Sequence, residues 1–164
     1  MKDGFIKAAP IWGKGFEEEK NTTLGLYKKI YCKQKQAVIK VATSGFYRVF
    51  VNGKFTYFGP VRCAHGYFRV DEIPIELNVG ENHIAIQVVN YYVNSFYYIC
   101  QNGFIQAEII SNGEVTTSPK GRMIATVLFP FDTSIPTAFI CFLQSFVFAQ
   151  WCTSFYSLPI QFVG

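Results

Sequence analysis

Residues 45–71 read GFYRVFVNGKFTYFGPVRCAHGYFRVD, and this stretch decides the fold. Tyr47, Val49 and Val51 fall on one side of an extended chain and Arg48 and Phe50 on the other, the period-2 alternation of a pleated strand. Asn52-Gly53 supplies the two positive-φ positions of a type I′ turn, so the runs on either side of it pair as a hairpin. Proline has no N–H to give to a ladder, so Gly59-Pro60 ends the second strand and sends the chain elsewhere in the fold.

The same stretch resembles the N-terminal accessory domain of bacterial alpha-L-rhamnosidases, glycoside hydrolases that carry β-sandwich modules around a helical catalytic barrel. The residues that carry the likeness are Asn52-Gly53, the corner Gly59-Pro60-Val61-Arg62, the aromatic Tyr67 and Asp71 opening the next segment. It continues through Leu77-Asn78-Val79-Gly80-Glu81-Asn82 into the strand beginning at His83. It also reaches back to the entry Phe5-Ile6-Lys7-Ala8-Ala9-Pro10-Ile11-Trp12, and in all it covers about residues 5–117. The resemblance implies an accessory module, present without its barrel, whose partners are a rhamnose-containing polysaccharide and the catalytic domain of a larger enzyme. The catalytic carboxylates of that family belong to the barrel, so none transfers to this chain.

The rest of the chain reads as β independently of that likeness. Leu24, Leu26 and Ile30 alternate with Tyr27 and Lys29, and a polar turn over 33–36 leads into a run over 37–43. Ile84, Ile86 and Val88 share a face against His83, Ala85 and Gln87. Ile105, Ala107 and Ile109 oppose Gln106 and Glu108, and Asn112-Gly113 offers a second hairpin turn. Asp71, Glu72 and Glu76, with Pro74 among them, read as a capped turn. The expectation is an all-β, antiparallel sandwich of jelly-roll, galactose-binding-like type over residues 1–120, followed by a hydrophobic tail over 121–164.

Composition sets further limits. Of 164 residues, 50% are hydrophobic and 18% aromatic, while 16% are charged against a usual share of about 25%. The net charge is +4, and the lysines are spread among glutamates with no nucleic-acid reading motif, so a solvated surface is preferred over a nucleic-acid partner. The N-terminus has no apolar h-region, which makes the cytoplasm the default location, although the resembled family is often exported. The five cysteines are widely spaced and match neither a disulfide framework nor a zinc pattern, so reduced thiols are expected. Cys63 and His65 are a weak metal pair, and neither a metal nor a cofactor is expected.

Residues 90–98, NYYVNSFYY, are the candidate sugar surface. A tyrosine ring covers the apolar face of a pyranose while amides orient its hydroxyls, which nominates Asn90, Tyr91, Tyr92, Asn94 and Tyr97, with Arg62 beside them. The same tyrosines also suit a spacer that docks on a neighbouring domain and binds no sugar. Arg62 has a structural alternative, hydrogen-bonding backbone carbonyls or pairing with Asp71 to hold the corner, and that role is preferred. Catalysis by this chain alone is not expected, because a glycosidase needs two carboxyl groups flanking the scissile bond and no such arrangement stands out.

The tail changes character: from residue 123 onward Asp132 is the one charged side chain, and neither strand nor helix periodicity is clean. Three readings stay open. The tail is the product of a lost reading frame in a truncated relative, which is preferred, a set of final core strands, or a membrane segment over 137–151.

Overall fold

The computed structural model describes residues 4–61, 63, 64, 66–95, 99–117 and 124–128. All of them lie in the compact unit Met1–Phe131. They form two antiparallel sheets with no helix among the described residues, the sandwich that the alternation predicts. In chain order the strands are β1 (Thr22–Cys32), β2 (Gln36–Thr43), β3 (Phe46–Val51), β4 (Lys54–Gly59), β5 (Asp71–Glu76), β6 (Gly80–Asn90), β7 (Ile105–Ser111), β8 (Glu114–Thr117) and β9 (Ile124–Leu128). One sheet runs β4-β3-β6-β1-β9 and the other β5-β2-β7-β8.

The core is the set of inward alternate residues from both sheets. Leu24 and Leu26 of β1, Tyr47 and Val49 of β3, and Ile84, Ile86 and Val88 of β6 meet Ile39, Val41, Ile73, Ile75, Ile105 and Ile109 from the other sheet, all 4% exposed or less. Each such side chain contributes about 1.5–3 kcal/mol over an exposed one, before the cost of ordering the chain. A one-residue slip in any strand would turn this set to solvent, so burial also holds the register.

Both turn motifs behave as their chemistry dictates. Asn52 and Gly53 have φ of 50° and 78°, and Asn112 and Gly113 have 53° and 76°. Asn52 does more than turn the chain. Its amide donates to Asn82 Oδ1 at 2.9 Å and its oxygen accepts from the His83 N–H at 2.8 Å. Asn82, fully buried, in turn closes the β5–β6 loop on Asn78 and Gly80. The Leu77–Asn82 motif is therefore a polar knot tied to the first hairpin.

Two features depart from expectation. The acidic segment at Asp71 is strand β5, with Asp71, Ile73 and Ile75 buried and Glu72, Pro74 and Glu76 exposed. Proline is tolerated there because β5 is an edge strand and Pro74 lies on its outward face. Glu108 lies on the face of β7 opposite Ile105, Ala107 and Ile109, yet it is fully buried. The entry segment crosses over it, and the N–H groups of Ile6, Lys7 and Ala8 donate to its carboxylate at 3.0–3.3 Å. Beyond residue 120, β9 pairs with β1 from Thr23 to Tyr27. The remainder of the tail, including the membrane reading of 137–151, lies outside the described residues.

Candidate functional site

The corner at Gly59-Pro60 is built around one carboxylate. β4 ends at Gly59 and β5 begins at Asp71, whose side chain is 2% exposed. Asp71 Oδ2 accepts the Tyr47 hydroxyl at 2.6 Å, and Oδ1 accepts Arg69 Nε at 2.6 Å. Burial, followed by the bond to Asp71, pushes the Tyr47 phenol far above its ordinary range, so it stays a donor. The bond to Asp71 also raises Arg69, which stays charged. A Cβ at position 59 would sit 2.7 Å from Asp71 Oδ2 and 2.8 Å from the Tyr47 hydroxyl. Glycine is required at this corner because the carboxylate and phenol occupy the space of a side chain.

Arg69 takes the ion pair, and Arg62 lies outside the described residues, as do His65 and Tyr97. Asn52 and Gly53 make the hairpin turn, and Gly59 and Asp71 make the close contacts of the corner.

Between the corner loop and the β6–β7 connection the structure opens a groove of about 280 Å³, lined among others by Phe46, Val61, Tyr67, Phe68, Arg69 and Gln101. Tyr67 is 65% exposed and Phe68 48%, although Phe68 is held edge-on against Phe104 with centroids 4.6 Å apart. Arg69, half-exposed, spends its Nε on Asp71 and keeps its Nη groups for other acceptors. Gln101 is anchored through its amide to Ser44 O at 3.2 Å, and its own carbonyl accepts from Asn90. The result is an apolar platform beside an immobilised guanidinium and an amide. No described residue lining the groove is a carboxylate.

The described part of the tyrosine-rich segment, residues 90–95, does not line this groove. Asn90 is 3% and Tyr91 1% exposed, both turned into the protein. Asn90 continues the inward parity of Ile84, Ile86 and Val88 along β6, a signal that was legible in the alternation. Tyr92 is half-buried and adopts a φ of 48°, which turns the chain after the strand. Asn94 is exposed, and its Oδ1 accepts the Cys100 N–H at 2.8 Å, closing the loop on itself. Of the nominated sugar-contact residues, Asn90 supports the groove from behind through Gln101, and Tyr91 belongs to the packing. Sequence reasoning missed Phe68, Arg69 and Gln101 and treated Tyr67 as a family marker. Its aromatic and guanidinium next to the buried Asp71 were the available signal.

Cys32, Cys63 and Cys100 carry free thiols, whereas Cys141 and Cys152 lie outside the described residues. Among the described residues no group of three potential metal ligands comes together.

No protein-family model matches the sequence, and no curated protein matches it either. Solved structures do. A GH78 family rhamnosidase of Bacillus sp. GL1 superposes with a TM-score of 0.61 at 28% identity, covering 74% of this chain and 13% of that one. A lectin from Pleurotus ostreatus, solved in complex with GalNAc, gives 0.52 at 19% identity, covering 78% of this chain and 39% of the lectin. The alpha-L-rhamnosidase of Streptomyces avermitilis, complexed with L-rhamnose, gives 0.49 at 12% identity, over 81% of this chain and 14% of that one. The chain thus spans about one-eighth of the Bacillus enzyme and resembles a β-sandwich portion of alpha-L-rhamnosidases.

Proposed function

We propose that this chain is a non-catalytic, carbohydrate-binding accessory module of an alpha-L-rhamnosidase-type enzyme, and that its binding site is the groove at Tyr67, Phe68 and Arg69. The observation that carries this reading is the exposed aromatic pair beside a fixed guanidinium on a sandwich similar to part of a rhamnosidase. A volume near 280 Å³ lies at the lower edge of ligand pockets, roughly 300–1,000 Å³, and suits one terminal sugar ring. The deoxy, methyl-bearing face of a rhamnosyl end would lie on Tyr67, with its hydroxyls taken by Arg69 Nη and Gln101. The non-catalytic role is supported by the groove lining and by the small share of the rhamnosidase chain that is matched.

Calorimetric titration of the full chain with L-rhamnose and a rhamnosyl disaccharide tests this. Saturable millimolar or tighter binding, weakened by Arg69→Ala, is expected. Absence of binding heat up to the solubility of both sugars would overturn it.

A second reading rests on a different surface. Phe55 and Phe58 on edge strand β4 are 60% and 50% exposed, with Phe50 and Phe46 packed against them. This aromatic face suits docking on another domain of a larger enzyme, which would make the module a spacer.

A further inference from the structure

Residues 4–8 form a strap across the outer face of the four-stranded sheet, and the grips that hold it are polar. Ile11 exchanges two backbone hydrogen bonds with Ile105 at 2.8 and 2.9 Å, at the start of β7. From there back toward residue 4, side chains of the sheet take over. Gln106 Nε2 donates to Ala8 O at 2.8 Å, and Glu108 accepts the N–H groups of Ile6, Lys7 and Ala8. Lys40 of β2 donates to Gly4 O at 2.8 Å and pairs with Glu72 of β5 at 3.0 Å. Apolar burial is a minor grip, since Ile6 is 60% exposed and Phe5 only half-buried. Three successive N–H groups turned onto one anion form a nest, and without the Glu108 carboxylate they would face an interior with no acceptor. Glu108 thus sets the shape of the strap as well as its place.

The far end of the strap reaches the corner loop. Gly4 lies so close to Val70 that a Cβ there would come within 2.9 Å of the Val70 side chain. Val70 stands between Arg69, the guanidinium of the groove, and Asp71, its anchor. Phe68 rests on Phe104, immediately before the strand that carries Glu108. Within 60–70 the backbone hydrogen bond among the described residues is Tyr67 N–H to Ala64 O at 3.1 Å, so contacts from outside fix the position of Phe68 and Arg69.

We infer that the strap is a buttress of the groove and that Glu108 is a positioning residue for it, acting through Gly4 and Val70 on Phe68 and Arg69. The sugar in this inference rests on the groove reading, whereas the support of the loop by the strap stands on its own contacts. Holding a loop in its bound pose before the ligand arrives spares the cost of ordering it on binding. Lys40 serves the same end on the β5 side, because it ties the strap to Glu72, next to Asp71.

The test is Glu108→Gln in the full chain, followed by amide exchange and by titration with a rhamnosyl disaccharide. The amide offers one acceptor oxygen in place of two and turns an NH2 toward the strap, so exchange at Ile6, Lys7 and Ala8 should quicken about tenfold or more. The amide signals of Phe68, Arg69 and Val70 should move, and affinity per folded molecule should fall about threefold or more as the loop loses its fixed pose. Gly4→Leu keeps the carboxylate but crowds Val70, and it should move the same loop signals. Glu76→Gln, exposed at the other end of β5 from Glu72, should change none of these. The inference is overturned if exchange at residues 6–8 stays at the wild-type rate in Glu108→Gln, or if it quickens while the loop signals and the sugar affinity stay as in wild type. A wild-type chain that binds no rhamnoside, yet whose loop signals answer to both strap variants, defeats the groove as a sugar site and supports the buttress. Rhamnoside binding that Glu108→Gln leaves intact, with the loop signals unmoved, defeats the buttress alone.

Discussion

Two aromatic loops lie at the same end of this sandwich and do opposite things. The loop over 60–70 turns Tyr67 and Phe68 outward around a buried Asp71, whereas the segment after β6 turns Asn90 and Tyr91 inward until each is almost fully covered. Aromatic density is the same signal in both. What separates them is where each loop's polar anchor sits. Asp71 is held inside by Tyr47 and Arg69, so the residues leading up to it lie over the surface. After β6 the strand parity itself carries Asn90 inward, and Tyr91 follows with its carbonyl accepting from Asn21. A tyrosine in a loop is thus a contact residue only where something else satisfies the interior.

Substitutions on the two loops should therefore separate stability from binding. The largest expected effect is Tyr91→Ala, which empties a buried aromatic site and should cost about 3–5 kcal/mol in urea unfolding, while rhamnoside affinity per folded molecule is kept. A loss below about 1 kcal/mol would mean that Tyr91 is not packed as described. Asp71→Ala comes next, at about 3 kcal/mol, because it leaves the buried Tyr47 hydroxyl without its acceptor and frees Arg69. It should also weaken rhamnoside binding, since Arg69 then loses its fixed position. Asn94→Ala removes one loop-closing hydrogen bond and should cost about 1 kcal/mol, with faster amide exchange at Cys100 as the readout. The smallest stability change belongs to Tyr67→Ala, within about 0.5 kcal/mol of wild type, because its ring is mostly in water. That variant should nevertheless lose about tenfold in rhamnoside affinity, roughly 1.4 kcal/mol.

Much of the fold could be read from the residues, and the reason is physical. Alternation and Asn-Gly turns are local signals, and β1, β2, β3, β4, β6 and β7 all follow them. What could not be read locally was set by contacts between distant segments. Glu108 looks solvated on β7 until residues 6–8 cross over it, about a hundred positions away in the chain. β5 was masked by Pro74, whose missing N–H matters only if the strand is interior, and edge position is a property of the assembled sheet. The groove was hidden for the same reason. It is formed where the turn after β2, the corner loop and Gln101 converge, and of its lining Pro60, Val61 and Tyr67 were legible, as markers of the corner. Gly59 shows the reverse case, a motif legible in one dimension whose cause is the Asp71 carboxylate beside it in three.

The contrast between the loops is tested most directly by following backbone amide shifts of the full chain during titration with a rhamnosyl disaccharide. Saturable shifts should concentrate at Gly66, Tyr67, Phe68, Arg69 and Gln101, with Tyr92, Val93, Asn94 and Ser95 left in place. Shifts confined to 92–95, or none anywhere at saturating sugar, would contradict the assignment of the groove as the binding site.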